Sequence, residues 1–301
     1  MSREQRARLD AMLRQAAQSQ PARPQSVDDM RARFAAPRAA KKLPDGVTTT
    51  EVTRGGRPVL LVEPASTRRP GTIVYFHGGG FVLGSPRTAL PLTAGLVART
   101  GMRALSVDYR LAPEHPFPAA VEDTTAVYRA LLDEGTAPAG IAFAGDSIGG
   151  GLTVVTWLAA REAGLPRPAA LVAFSPAADA SRTGESMISR ADADPLLTRD
   201  GLETRGAMYL AGQDPLQPLL SPAVLADLSG FPPLLLQVGT NDMLFDDSTR
   251  LAARAVAAGA DVILDVTAGV PHVFQEHAGQ LDEADQALDR AALFLTQHVR
   301  G

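Results

Sequence analysis

Cysteine is absent from the 301 residues of this chain. Its absence excludes disulfide bridges, thiolate zinc sites and a cysteine nucleophile. Long apolar runs are also missing, since no stretch approaches the ~18 uninterrupted apolar residues that a transmembrane helix needs. The first twenty residues are rich in Arg and Gln and contain no apolar core of signal-peptide length. A cytoplasmic protein without a transmembrane segment is therefore expected.

A large excess of one charge is lacking as well. The chain has 29 basic and 33 acidic residues, mixed along its length, for a net charge of −4. This balance gives no electrostatic reason to expect nucleic acid or an anionic membrane as a partner. The acidic run 192–194 has no histidine or further carboxylate at ligand spacing, so no metal is expected there. Nothing in the sequence implies an organic cofactor.

What the chain does contain is a regular alternation of short apolar or β-branched runs with Ala/Leu-rich segments of helical length. Eight such runs predict strands, and the first two are joined by a turn at Gly55-Gly56. This alternation favours an α/β fold with a mostly parallel, eight-stranded sheet covered by helices on both faces. The predicted strands are 48–53, 58–62, 72–76, 103–107, 141–144, 170–174, 234–238 and 262–266, and the helices between them are 90–99, 121–133, 150–162 and 248–258.

Two further regions lie outside this alternation. Helical spacing of apolar residues predicts an amphipathic helix over residues 1–20, and Ser26 is placed to cap a second helix from Val27 to about Ala36. These helices could pack as a lid or as an outer layer. About sixty residues separate the strand ending near Phe174 from the one starting near Leu234. An insertion of this length above a sheet is commonly a lid or a substrate-pocket element.

The segment Gly145-Asp146-Ser147-Ile148-Gly149 lies directly between a predicted strand and a predicted helix. A nucleophilic serine in G-x-S-x-G occupies a strained strand-to-helix turn, which small neighbours allow to be sharp. The helix N-terminus adds positive potential where an oxyanion would form. Asp146 is expected to support the turn by hydrogen bonding. The alternative is a glycine-rich turn that binds phosphate.

A second glycine-rich segment favours acyl transfer over phosphate binding. Residues His77, Gly78, Gly79, Gly80 and Phe81 follow the predicted strand 72–76. Three successive glycines leave backbone N–H groups unshielded by side chains, as an oxyanion hole requires. His77 opens this loop and is better placed to brace it by hydrogen bonds than to act as the catalytic base.

A nucleophilic serine requires a base, and five histidines are available. His272 has the most favourable context, because it lies in the loop just beyond the predicted strand 262–266. His115 lies in a proline-rich segment, His277 near the start of the next helix and His298 in the C-terminal helix. These three are interpreted as surface or packing residues.

The base in turn requires an orienting carboxylate. Asp242 follows the predicted strand 234–238 after a short turn, where such a group is expected. Asp246 and Asp247 compete for this role, but they fit better as the cap of a helix beginning near Ser248. The resulting chain order is Ser147, Asp242, His272. Each member follows a different strand, as in α/β-hydrolases.

Taken together, four blocks resemble the hormone-sensitive-lipase-like branch of the α/β-hydrolases, which includes bacterial esterases and ε-lactone hydrolases. The blocks are His77 to Phe81, the segment 108–118, residues 145–150, and the stretch from Gly239 through Asp242 to His272. They span roughly residues 70–275. Within the second block, Arg110 and Glu114 are expected to form an ion pair that holds the loop.

The resemblance implies further assignments. The oxyanion donors would be the backbone N–H groups of Gly79, Gly80 and Ile148. Residues 1–45 would form an N-terminal helical cap segment, and 46–301 the catalytic domain with a cap insertion at about 177–213. One departure is that Ile148 stands where the family usually has Ala. The larger side chain is expected to reshape the acyl pocket.

These expectations converge on a serine carboxylesterase that hydrolyses uncharged short- to medium-chain acyl esters through an acyl-enzyme. The same triad would serve a lactone hydrolase, an amidase or a peptidase. A non-catalytic small-molecule receptor on the same fold is a further alternative, although such receptors usually have a damaged triad. The expected partner is a small-molecule ester, and the resemblance implies that a homodimer could form through the edge strand near 262–266.

Overall fold

An eight-stranded sheet forms the centre of the protein in the computed structural model, which describes residues 2–18, 26–66 and 68–300. The spatial order of the strands is β1-β2-β4-β3-β5-β6-β7-β8, and all neighbours from β4 to β8 are parallel. The β1–β2 and β2–β4 pairs are antiparallel. The predicted mostly parallel sheet of eight strands is confirmed. The strands are β1 Val47–Arg54, β2 Arg57–Pro64, β3 Thr72–Phe76, β4 Arg103–Val107, β5 Ile141–Asp146, β6 Ala170–Phe174, β7 Leu234–Asn241 and β8 Val262–Pro271.

Helices cover both faces of the sheet. The predicted helices of the central region are confirmed, although three of them begin earlier than expected, at Ala119, Ile148 and Phe245. The α-helices of the described residues are α1 Ser2–Gln18, α2 Val27–Ala39, α3 Leu90–Thr100, α4 Ala119–Asp133, α5 Ile148–Glu162, α6 Ser186–Ser189, α7 Arg199–Leu210, α8 Pro222–Leu225, α9 Phe245–Ala257 and α10 Asp282–His298.

The central strands are buried on both faces because successive side chains point into two separate cores. In β3, Val74 and Phe76 contribute to the core beneath α4, α5 and α9. Ile73 and Tyr75 of the same strand contribute to the core beneath α3 and α10. Each such side chain stabilises the fold by about 1.5–3 kcal/mol through burial. The sheet is thereby a rigid platform for the loops at its carboxyl edge.

The two N-terminal helices are present where the sequence predicts them. Ser26 caps α2 by accepting a hydrogen bond from the Asp29 N–H at 3.1 Å, and the helix ends at Ala39, three residues beyond the prediction. Leu9 of α1 packs into a small core formed with β8 and α10. Residues 1, 19 and 20 of the predicted first helix lie outside the described residues. Within the described ranges, no helix combines the length and apolarity that crossing a bilayer requires.

The expected ion pair between Arg110 and Glu114 is wrong. Arg110 instead contacts Asp123 at 2.8 Å, because the first turns of α4 place this buried carboxylate beneath the loop. The backbone N–H of Arg110 donates to the same carboxylate at 2.8 Å. Glu114 contacts Arg31 of α2 at 2.7 Å. The loop 108–118 is therefore held by two different partners, one in the sheet domain and one in the N-terminal region.

The start of α5 lies against the end of β3 with no room for side chains between them. A Cβ atom on Gly149 would lie 2.0 Å from the Phe76 carbonyl oxygen, and a Cβ atom on Gly145 would lie 2.3 Å from the Gly149 carbonyl oxygen. Both obstacles are backbone atoms, which cannot move away without displacing a strand or a helix. The two glycines of the G-x-S-x-G segment are thus required by packing as well as by the turn.

We predict that Gly149→Ala destabilises the protein by about 1–3 kcal/mol, because the new methyl group overlaps the backbone of β3. Thermal unfolding would show a lower Tm, by about 2–4 °C for each kcal/mol lost. Gly95→Ala within α3 is the matched control. There the nearest atom to the new Cβ is the Leu288 side chain at 3.3 Å, and alanine favours a helix. Equal Tm values for the two variants would contradict the prediction.

Candidate active site

Ser147 lies at the junction of β5 and α5 with φ of 54° and ψ of −121°. A positive φ is strained for a residue with a side chain and requires support from its surroundings. The Ser147 N–H donates to the Phe174 carbonyl at 2.8 Å, and its carbonyl accepts from Ala177 at 2.9 Å and Gly151 at 3.1 Å. The backbone of the serine is therefore fixed from β6 and from its own helix.

His272 and Asp242 form a hydrogen-bonded pair, with 3.0 Å between His272 Nδ1 and Asp242 Oδ2. Asp242 is fully buried, and its other oxygen accepts from the Leu244 N–H at 2.8 Å. An ionised carboxylate accepts hydrogen bonds only, so His272 Nδ1 donates and Nε2 keeps its lone pair. Within the described chain, no hydrogen-bond partner occupies Nε2. The ring is thus held in the tautomer of a general base.

The charge environment favours protonation of His272. Burial lowers the pKa of this imidazole, but the charge of Asp242 and its hydrogen bond, together with the charge of Asp194, outweigh the burial. The net result is a pKa above the ordinary value of 6.5. A base of this kind gains proton affinity from its carboxylate partner, and it must lose its own proton before it can accept another.

The loop that carries His272 is fixed by a backbone contact to the end of β6. Val273 has φ of 49°, and its N–H donates to the Ser175 hydroxyl at 3.0 Å. Ser175 is itself fully buried at φ of 47°. Two strained residues therefore meet where the Ser147 and His272 loops come together, which is common at functional sites.

The glycine loop lies beside Ser147 at the end of β3. Gly79 has φ of 126° and Gly80 has φ of 66°. A Cβ atom on Gly78 would lie 2.2 Å from Asp146 Oδ2, so the loop touches the residue before the serine. Within the described residues, no protein acceptor engages the N–H groups of Gly79, Gly80 or Ile148. These three donors are available to a bound ligand.

His77 and Asp146 lie beneath the glycine loop. The His77 ring is fully buried and stacks on Tyr109 with 4.2 Å between centroids, and its Nδ1 lies 2.8 Å from the Gly78 carbonyl oxygen. Burial lowers the pKa of His77 to about 4, so the ring is neutral. Asp146 accepts from the Tyr75 hydroxyl at 2.9 Å. Burial and the charge of Glu276 raise the pKa of Asp146 to about 6.

Of the three remaining histidines, His277 ends the short 3-10 turn Phe274–His277 just beyond His272. Burial is the main reason that its pKa is lowered to about 4. His298 lies in the last turn of α10, where its Nδ1 is 2.8 Å from the Phe294 carbonyl oxygen. His115 lies in the loop before α4.

The interpretation of Asp246 and Asp247 as caps of a helix near Ser248 is wrong. The helix α9 begins at Phe245, so both residues lie in its first turn. Asp247 accepts from the backbone N–H groups of Ala178 and Asp179 at 2.7 and 3.0 Å. Asp246 accepts from the Ser186 N–H at 2.9 Å. Both carboxylates hold the insertion that follows β6. They can do so because β6 and β7 are neighbours in the sheet, which brings the loop after β6 close to the start of α9.

The sequence did not indicate that Asp194 lies next to Asp242. Its Oδ2 accepts from the Met243 N–H at 2.9 Å, while Oδ1 accepts from Leu196 and Leu197 at 2.9 and 3.0 Å. Burial and the charge of Asp242 raise the pKa of Asp194. The insertion after β6 thus fixes the residue that follows Asp242. No local motif marks this contact, since the two residues are far apart in the chain.

Ser147 and His272 border the same large cleft, of about 2460 Å³. Residues of α2 and α7 form its outer wall, and the glycine loop forms part of its floor. Two ion pairs join the N-terminal region to the His272 loop, since Arg38 and Lys41 contact Glu276 at 2.9 and 3.1 Å. A ligand in this cleft would meet the serine, the imidazole and the free N–H donors together.

A serine at a strained strand-to-helix turn, a histidine–carboxylate pair and a glycine loop on a mostly parallel sheet define an α/β-hydrolase. The chain belongs to the α/β-hydrolase family, since the family model described as alpha/beta hydrolase fold matches residues 73–276. The resemblance inferred from the sequence motifs is thereby confirmed.

Individual relatives agree with this assignment. An acetyl-hydrolase of Streptomyces hygroscopicus is 42% identical over 245 residues, covering 81% of both chains. An ethyl acetate hydrolase of Pseudomonas putida is 31% identical, covering 85% of this chain and 84% of its own. Among solved structures, an esterase from the bacterial hormone-sensitive lipase family is 41% identical with a TM-score of 0.94, covering 99% of both chains.

We predict that Asp194→Asn lowers the pKa of His272, because it removes a negative charge that favours the imidazolium. It also turns an amide NH₂ group toward a backbone N–H donor, at a cost of about 1–3 kcal/mol in unfolding free energy. NMR titration of the His272 ring and denaturant unfolding measure the two effects. Asp192→Asn is the matched control, since Asp192 is exposed in the same loop. An unmoved His272 titration in Asp194→Asn would refute this coupling.

Proposed function

We propose that this chain is a serine carboxylesterase that hydrolyses short- to medium-chain acyl esters through Ser147, Asp242 and His272. The observation that carries the proposal is the His272–Asp242 pair, whose Nε2 has no partner among the described residues and which borders the same cleft as Ser147. The names of the relatives, acetyl-hydrolase and ethyl acetate hydrolase, support small acyl groups. Membership of the α/β-hydrolase family supports ester hydrolysis.

In the first half-reaction, His272 Nε2 takes the proton from Ser147 Oγ as the oxygen attacks the ester carbonyl carbon. The negative charge moves to the carbonyl oxygen, which accepts hydrogen bonds from the N–H groups of Gly79, Gly80 and Ile148. The intermediate collapses with loss of the alcohol, which takes the proton from His272. The acyl group remains on Ser147.

In the second half-reaction, His272 removes a proton from water, and the hydroxide attacks the acyl carbon. The acid leaves and Ser147 recovers its proton. Asp242 stabilises the imidazolium in both halves and holds the tautomer with Nδ1 protonated. His77, Gly78 and Asp146 support this chemistry by holding the glycine loop against the serine turn, through the contacts of His77 with Gly78 and of Gly78 with Asp146.

The acyl range is proposed from the surroundings of Ser147. Ile148 is half-buried, borders the cleft and packs against the main core. Its β-branched side chain occupies space that an alanine would leave open, which favours short acyl groups. A series of p-nitrophenyl esters from acetate to decanoate measures this range. A lactone and a matched anilide added to the series test the lactonase and amidase alternatives.

The cap segments, the dimer and the location are proposals of the same kind. Residues 1–45 and 177–213 are proposed as the cap because α2 and α7 wall the cleft. A homodimer through β8 is proposed because this edge strand exposes Ile263 and Val266. Gel filtration of the wild type measures the oligomeric state. We also propose that the protein is located in the cytoplasm.

We predict that Ser147→Ala lowers kcat for p-nitrophenyl butyrate by at least about a thousandfold, since removal of the nucleophile leaves only the oxyanion donors and binding. A fluorophosphonate would label the wild type stoichiometrically at Ser147 and leave the variant unlabelled. Ser229→Ala serves as the control, because Ser229 is exposed in a remote loop. Activity at the wild-type level in Ser147→Ala would show that another residue is the nucleophile.

We predict that kcat/KM rises with pH as His272 loses its proton, with an acid limb whose pKa lies above 6.5. Below that pKa the imidazolium cannot accept the serine proton, so activity falls. Asp242→Asn removes the charge that raises the pKa, so the acid limb moves to lower pH. The same change lowers kcat by about 10⁴-fold, as in other triads. An acid limb that stays in place in Asp242→Asn would exclude Asp242 as the partner.

A further inference from the structure

Arg205 of α7 lies directly against the glycine loop. A Cβ atom on Gly80 would lie 2.9 Å from both Cδ and Nε of Arg205. The helix is fixed in this position, because the rings of Tyr209 and Phe81 stack with 3.5 Å between centroids. Residues four apart share one face of a helix, so Arg205 and Tyr209 both face the loop. The Nε end of the guanidinium therefore lies at the edge of the proposed oxyanion site, and its two terminal nitrogens lie near Gly201 on the same helix.

Among the described residues, the guanidinium of Arg205 has no hydrogen-bond or ion-pair partner. Across the described ranges, no carboxylate pairs with it and no carbonyl accepts from it. Its neighbour Arg182 donates to the Leu202 carbonyl at 2.7 Å and likewise contacts no carboxylate within the described chain. By contrast, Arg199 on the same helix pairs with Glu203 at 3.3 Å. Arg182 and Arg205 thus both border the cleft, and neither forms an ion pair within the described ranges, although the charges of Asp247, Glu203 and Asp179 act on Arg182.

An arginine in this position is costly for the free protein. Burial and the positive charge of Arg182 both lower the pKa of Arg205. Arg205 is half-buried, so its guanidinium loses part of its hydration, and an unpaired cation in this state destabilises the fold unless something compensates. A bound anion would compensate, and the planar fork of a guanidinium matches a carboxylate with two parallel hydrogen bonds. A guanidinium without an ion-pair partner among the described residues therefore lies in the cleft beside Gly80.

We propose that Arg205, with Arg182 beside it, binds a carboxylate that the ester substrate itself carries. The inference rests on the proposed esterase function and narrows its substrate class. The preferred substrates would be half-esters of short dicarboxylic acids or esters of short hydroxy acids, which place the carboxylate a few bonds from the scissile carbonyl. The proposal differs in this respect from the uncharged esters expected from the sequence.

Two pairs of esters test this inference by pH-stat at neutral pH. Monoethyl succinate and ethyl levulinate have the same shape on the acyl side, and only the first has a carboxylate. Acetoxyacetate and acetoxyacetone form the corresponding pair on the alcohol side. The measured quantity is the ratio of kcat/KM within each pair, so that effects common to both esters cancel. The pair that responds shows which side of the ester meets Arg205.

In the wild type we expect the carboxylate ester to be preferred in one pair, with a preference that weakens at high salt. Arg205→Gln is expected to lower the ratio by about tenfold to a hundredfold, mainly through KM, as loss of a charged hydrogen bond does. Arg205→Lys keeps the charge without the fork and should retain part of the preference. Arg199→Gln removes a charge from the same helix and should leave both ratios unchanged.

The outcomes separate the inference from the proposed function. If the wild type hydrolyses the neutral esters and Arg205→Gln leaves both ratios unchanged, the carboxylate site is overturned and the esterase stands. If the wild type hydrolyses none of the four esters, the proposed function fails and the inference fails with it. A lower ratio in Arg205→Gln but not in Arg199→Gln supports the inference.

Discussion

The strained turn at Ser147 depends on the close approach of the start of α5 to the end of β3. Gly149 lies so near the Phe76 carbonyl that no side chain fits between them. Because Phe76 leads directly into the glycine loop, the same contact fixes that loop relative to the serine. Gly78 then meets Asp146 across the gap. The proposed nucleophile and oxyanion donors are thus held by one packing arrangement rather than by two independent loops, which is how a site is preorganised.

The His272–Asp242 pair depends on a different constraint, the insertion after β6. Asp194 of the insertion fixes Met243, the residue after Asp242. Asp246 and Asp247, at the start of α9, hold the first part of the insertion. Buried carboxylates that accept several backbone N–H bonds give a rigid arrangement, since each lost bond leaves an unsatisfied donor. The insertion therefore both walls the cleft and positions the His272–Asp242 pair. Changes that alter the pocket through this segment would also be expected to alter the His272 pKa.

The parts of this structure that could be predicted from sequence are those determined locally. The alternation of apolar runs predicts all eight strands, and the glycine spacing around Ser147 predicts the serine turn, because both signals lie within a few residues. The ion pair of Arg110 could not be predicted, because its partner Asp123 is chosen by the packing of α4. The contact of Asp194 with Met243 likewise joins segments that only the folded sheet brings together.

Arg205 is informative because it lowers the stability of the free protein and no contact within the described residues compensates for this. Most charged residues at the cleft have partners, as Arg38 has in Glu276, and their net contribution to stability is small. Arg205 has none among the described residues and loses hydration beside Arg182. Proteins commonly depart from locally favourable choices at functional sites, where the cost is recovered on binding. The proposed oxyanion donors recognise a feature that all esters share. A cation beside Gly80 would add selection among esters, since it would strengthen the binding only of substrates that carry a negative charge.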